Sequence, residues 1–103
     1  MPVAVNRRAY VVPVRWPAGA PPVVAFVGHD TRSLAVVRSL PRGTPVYVLP
    51  SEGEHGLEAL REACRGCRFG ITGTAGARRL GIQAVPAVVH MIDGVVHVTE
   101  GAP

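Results

Sequence analysis

Apolar residues along this chain fall into two kinds of pattern. Four short stretches are apolar at nearly every position: "VVAFV" (23–27), "VYVL" (46–49), "AVVHMI" (87–92) and "VVHV" (95–98). Continuous runs of β-formers of this length predict strands buried on both faces. Two other stretches carry their apolar residues on a helical period. Leu34, Val37 and Leu40 form one stripe, preceded by Asp30 and Thr31, either of which can cap a helix. Leu57, Leu60 and Cys64 recur at i, i+3 and i+7 in a helix predicted over 56–65, with Glu58, Arg61, Glu62 and Arg65 off that face. Gly66 stands where a left-handed cap would end it.

Turn residues order these elements. The run from Tyr10 to Val14 is broken by Pro13, which predicts an edge strand or an extended arm, and "WPAGAPP" is a connector. "CRFGI" predicts a short strand. "TGTAGARRLG" predicts a short helix capped by Thr72 or Thr74 and ended by Gly81. Asp93-Gly94 between the last two apolar runs predicts a tight hairpin. The organisation is an N-terminal arm with a candidate edge strand (1–22) and one α/β domain (23–103). A β-α-β crossover followed by helices and a terminal hairpin gives a mixed sheet.

Composition narrows the function classes. The chain has 103 residues, 48% hydrophobic and 17% charged, which suits one globular domain rather than a disordered segment. No apolar run approaches the roughly 20 residues of a membrane helix, so membrane insertion is not expected. "MPVAVNRRAY" lacks the apolar stretch of a secretory signal, so the protein is expected to be cytoplasmic unless a signal has been removed. The net charge is +4 and all eleven basic residues are arginine, scattered from Arg7 to Arg79. Nucleic-acid binding would group them on one face with aromatics interleaved, and they are not grouped so.

The chemistry-bearing residues are few. Cys64 and Cys67 form the one C-x-x-C, half a zinc ligand set, and His29, His55, His90 and His97 lack the spacing to complete it. No metal and no cofactor is expected. "GITGTAG" lacks the Lys-Ser/Thr of a phosphate loop and the start of a dinucleotide turn, so capping explains it better. His29 and Asp30 read as a turn and a cap, His55 as surface, and His90 and His97 as outward-facing strand positions.

"RRLGIQAVPAVVHMIDGVVHVTEG", with Gly81, Ile82, Val85, Pro86 and the Asp93-Gly94 turn, resembles the C-terminal half of a thioredoxin-like domain. With "VVAFVG" and "PVYVLP" as central strands, the resemblance covers 23–101. It implies a thioredoxin-like mixed sheet with flanking helices and a cis peptide bond before Pro86. "VVPVRWP", "FVGHDTRSLAVV" and "EALREACRGCRFGITGTAGARRLGIQAVPAVV" are together similar to thioredoxin-like proteins of integrating conjugative elements and, more distantly, to TrbC-type conjugative transfer proteins. That resemblance implies a periplasmic accessory of a type IV secretion system, normally carrying a signal peptide, with protein partners and no defined enzymatic activity.

The resemblance also frames the cysteines. A thioredoxin-type dithiol follows the first central strand at a helix N-terminus, where the dipole lowers a thiol's pKa. Here Thr31, Arg32, Ser33 and Leu34 fill that position, with no base expected to activate a hydroxyl. Cys64 and Cys67 lie at a helix C-terminus, with Cys64 on the apolar stripe. A structural disulfide or packed thiols come first, a labile disulfide next, and catalysis or metal binding last. The expected function is therefore a non-catalytic binding or assembly module. Its groove would have Thr31, Arg32 and Ser33 on one side and Ala84, Val85 and Pro86 on the other, where an unpaired backbone edge at Val85 takes extended peptide. The alternative is a thiol-disulfide oxidoreductase using Cys64 and Cys67 from an unusual position.

The resemblance implies one more helix after the hairpin, and the sequence ends at "TEGAP" without it. The hairpin is apolar on more positions than one buried face requires. Either the segment from Tyr10 to Trp16 folds over the second face, anchored by Trp16, or a second copy packs there as a homodimer.

Overall fold

The computed structural model describes residues 1–101. The four apolar runs become the centre of one six-stranded mixed sheet. Its strands are β1 (Arg8–Val12), β2 (Val23–Val27), β3 (Pro45–Val48), β4 (Arg68–Gly70), β5 (Ala87–Ile92) and β6 (Val95–Glu100). Three helices connect them: α1 (Thr31–Ser39), α2 (Leu57–Ala63) and α3 (Thr74–Arg79). The strand order is β1-β6-β5-β2-β3-β4. β2, β3 and β4 run parallel, while β5, β6 and β1 alternate antiparallel beside them.

Alternation along the strands sends side chains to two separate cores. Val24, Phe26, Leu49, Val89, Val96 and Val98 pack against Ala77 of α3 and Leu80 at its C-cap. Ala25, Val27, Val46 and Val48 pack against Leu34 and Val37 of α1 and Leu60 of α2. The run of β2 is explained by this, since both its faces are covered. By contrast, β3 buries Val46 and Val48 and leaves Pro45 and Tyr47 half-buried. The far half of β5 and alternate positions of β6 are more open than their apolar runs predict. Phe26 and Tyr47 stack across the β2–β3 pair with centroids 5.4 Å apart. The hairpin turns on Asp93 (φ 51°) and Gly94 (φ 75°), the backbone signs that a two-residue turn between twisted strands requires.

Helix ends follow the sequence at the start of α1 and at the end of α3, where Gly81 takes a left-handed φ of 72°. They depart from it at the end of α2 and the start of α3. Asp30 caps α1 by accepting from the Ser33 backbone N–H. Gly66 is not in the left-handed region. α2 instead ends at Cys64, and the Cys67 N–H closes a tight turn onto the Cys64 carbonyl (3.2 Å). Neither Thr72 nor Thr74 caps α3. Gly73 holds that position, because a Cβ there would sit 2.6 Å from the Tyr47 Cβ.

The N-terminal arm forms the expected edge strand but does not take the expected place over the hairpin. β1 begins at Arg8 rather than Tyr10 and extends the sheet in its own plane by pairing with β6. Tyr10, Val12 and Trp16 pack with the α3-side core, and the Trp16 indole N–H donates to the Pro21 carbonyl (3.0 Å). The arm therefore does not cover the other face of the hairpin. There Val11, Ile92 and Val95 stay 54%, 49% and 40% exposed. Glu100, a buried carboxylate, ties this edge together: it accepts from the Gln83 backbone N–H (2.8 Å) and pairs with Arg8 (3.3 Å).

Candidate functional site

β2 and β3 run in the same direction and deliver their C-terminal ends to one place, where α1 begins. The chain after β2 turns at Gly28, His29 and Asp30. Ser33, fully buried, donates its hydroxyl proton to Asp30 (2.6 Å) and accepts the Gly28 N–H (2.9 Å). Every hydrogen-bonding role of that hydroxyl serves the turn, so Ser33 supports the groove from beneath and does not line it.

The loop after β3 closes over this turn. Ser51 Oγ accepts the His29 N–H (3.1 Å), and the His55 N–H donates to the His29 carbonyl (3.0 Å). His29 Nδ1 lies 2.7 Å from the His55 carbonyl, and since a carbonyl only accepts, that nitrogen carries the proton. His55 Nε2 approaches Thr31 Oγ1 at 3.2 Å and the Glu54 carboxylate at 3.8 Å. A potential base does therefore reach Thr31, which the sequence pattern does not reveal. Its Nε2 faces both neighbours, whereas a catalytic pair needs a third group orienting the base through its other nitrogen. The Thr31–His55 contact works as a latch between α1 and the loop.

Opposite this turn lies the segment leading into β5. The Val85–Pro86 bond is cis, Pro86 is buried, and Ala84 is half-buried. Val85 is fully buried, close enough to Gly28 that a Cβ on the glycine would meet Val85 Cγ2 at 2.8 Å. Its backbone is not an open edge. The Val85 N–H donates to the Pro2 carbonyl (2.9 Å), and the Val85 carbonyl accepts the Ala4 N–H (2.8 Å), an isolated parallel bridge centred on Val3. Arg32 Nη1 donates to the Ala4 carbonyl (3.1 Å) from the α1 side. Of the six residues predicted for the groove, Arg32 and Val85 hold this strap directly. Thr31 faces the loop instead.

The two cysteines sit at the other end of the sheet, joined as a disulfide between the end of α2 and the start of β4. Both are half-buried beside Arg61, Arg65 and Phe69. The Arg65 guanidinium is held by Glu62 at 2.8 Å, and that pairing raises its already high pKa. No other cysteine is present. Among the described residues, no three His, Cys, Asp or Glu side chains gather as a metal site, and no helix is long and apolar enough to cross a membrane.

The strap was the feature missed in the sequence, because "MPVAV" reads only as a weak apolar start. Its one signal is the pairing of small and β-branched residues ahead of Arg7. No family model, curated protein or solved structure matches this chain, so its residues and geometry carry the functional reading.

Proposed function

We infer that this chain is a non-catalytic, thioredoxin-like binding module that contacts extended protein segments beside Pro86. It would serve as an accessory of a conjugative type IV secretion system. The observation that carries the binding reading is the bridge at Val85: both backbone groups of one buried residue are engaged by an extended segment, which is strand addition in miniature. The thioredoxin-like reading is supported by the β2–α1–β3 crossover, the antiparallel β5–β6 hairpin beside β2, and the packing of α1 and α3 on opposite faces. Against redox catalysis, the start of α1 carries Thr31, Arg32 and Ser33 where a dithiol would stand. The disulfide lies at a helix C-terminus, where the dipole disfavours a thiolate. A disulfide is compatible with an oxidising compartment such as the periplasm.

The test combines two measurements. Deleting the gene from a donor strain that carries its element should lower transfer frequency, and wild type or Cys64→Ser should restore it equally. Insulin-disulfide reduction should stay at background. Robust insulin turnover that disappears in Cys64→Ser would establish the oxidoreductase instead, and unchanged transfer would remove the conjugation role.

A further inference from the structure

The segment on Val85 is held largely through backbone groups, with the Met1 ammonium donating to the Pro50 carbonyl (2.8 Å) and the Met1 side chain packed at the margin of the α3-side core. Only Pro2 and Ala4 bond to Val85, and the chain then leaves the groove: Val3 is 36% exposed and Val5 is 85% exposed. The one buried side chain is Ala4, at 8%. Its size is fixed by Gly101. A Cβ on that glycine would already lie 3.1 Å from the Ala4 Cβ and 2.8 Å from the Asn6 carbonyl. A larger residue in place of Ala4 has no room unless the strap lifts.

Recognition at this groove therefore has definable chemistry. Two backbone hydrogen bonds to Val85 demand an extended segment. Arg32 demands a free carbonyl at the third residue of the segment, where the side chain must be small. Beside the strap lies a cavity of about 390 Å³ whose walls are Met1 and Pro2 themselves together with Pro50, Thr74, Arg78 and Ile82. A longer segment has room there that Pro2–Ala4 leaves unused.

We propose that this groove is a receptor for extended protein segments with a small side chain at the Ala4 position, and that Pro2–Ala4 is its resident competitor. Partner binding then requires displacement of the strap. The proposal rests on the binding-module reading and adds its specificity and regulation. A segment tethered by a short linker competes at an effective concentration of order millimolar, so a strap whose own affinity for the groove is about 1–10 μM weakens any partner's binding by roughly two to three orders of magnitude.

The probe is a fluorescent peptide with the sequence Pro-Val-Ala-Val-Asn-Arg, and the host is the full chain carrying Ala4→Glu. Fluorescence anisotropy should show at least about ten-fold tighter binding to the variant than to wild type. A peptide with glutamate in place of its alanine should bind neither. Equal affinity for both chains overturns the proposal. So does an Ala4→Glu chain that fails to fold, since the strap would then belong to the cooperative core.

Amide exchange on wild type gives an independent reading. The Ala4 and Val85 N–H groups should exchange at least about a hundred times faster than that of Val89, as expected of a locally opening segment. Equal protection sinks the idea. Peptide binding to the variant without any transfer defect in the deletion strain would leave this proposal standing and remove only the conjugation role.

Discussion

At one end of the sheet, β2, β3 and β5 meet in a cluster of hydrogen bonds. Asp30 and Ser33 close the turn, Ser51 and His55 tie down the loop, and Val85 and Arg32 hold the strap. At the other end, α2 is joined to β4 by a covalent bond between Cys64 and Cys67, and the surrounding charges are arginines with Glu62. The first end is made of groups that exchange partners in microseconds to seconds, while the second changes only by redox chemistry. A binding site needs donors and acceptors that can be vacated and reoccupied. The sheet keeps its exchangeable end and its covalent end apart.

Helix α2 spans the two ends, and Leu60 is its fully buried anchor against Val46 and Val48. Leu60→Ala should cost about 2–5 kcal/mol, the largest single effect expected here. Urea denaturation measures it, and both ends should loosen together in amide exchange. A loss under about 1 kcal/mol would mean that α2 is a peripheral cover and that the two ends are independent.

Reducing the disulfide should cost less. The loop it closes is very short, so the chain-entropy contribution is about 2 kcal/mol. Thermal melting with and without a thiol reductant should show that drop, and Cys64→Ser should reproduce it. Exchange at the Val85 amide should stay the same. A reduced protein with a released strap would join the two ends into one redox-controlled device and break the contrast drawn above.

Asp30→Ala should cost about 1 kcal/mol, in the ordinary range for a lost helix cap. It removes the acceptor of both the Ser33 N–H and the Ser33 hydroxyl. Its damage should stay local to the His29–His55 turn, with the hairpin amides unmoved. A global loss as large as that of Leu60→Ala would show that the exchangeable end is core after all.

These elements differed in how plainly the sequence announced them. The central strands, α1 with its Asp30 cap, and the Asp93-Gly94 hairpin were legible because each is a local pattern: an apolar run, a capping residue or a turn pair. Gly81, left-handed just past the end of α3, was legible too, but the end of α2 and the N-terminal cap of α3 were not. Gly73 answers to Tyr47 and the end of α2 to Cys67, and no local rule contains those neighbours. Position along the chain places Arg32 and Val85 on either side of the strap, but it shows neither that the Val85 backbone is already bonded nor that the Ser33 hydroxyl is engaged by Asp30 and Gly28. The strap was illegible, since Pro2 and Ala4 hold Val85 through a backbone carbonyl and a backbone N–H that no side-chain pattern marks. The same holds for the His55 approach to Thr31, set by a loop whose path no periodicity predicts.

The smallest effect expected concerns Tyr10, which pins the edge strand β1 to α3 by donating its hydroxyl proton to the Leu80 carbonyl (2.9 Å). Burial pushes this phenol above its ordinary value of 10.0, with Arg8 opposing the shift and the Glu100 carboxylate adding to it. A group whose folded pKa lies above its unfolded one binds its proton more tightly in the folded state. Its contribution is therefore complete below about pH 10 and is lost as pH rises through the folded value. The chain has no lysine and only two tyrosines, so few other groups titrate in that window. Stability of the wild type should accordingly fall more steeply above pH 10 than that of Tyr10→Phe, which starts lower for want of the hydrogen bond. Urea midpoints at pH 9, 10 and 11 measure the two slopes. Parallel slopes would mean that the phenol is solvated when folded, and that β1 is held by its ladder to β6 and the Arg8–Glu100 pair alone.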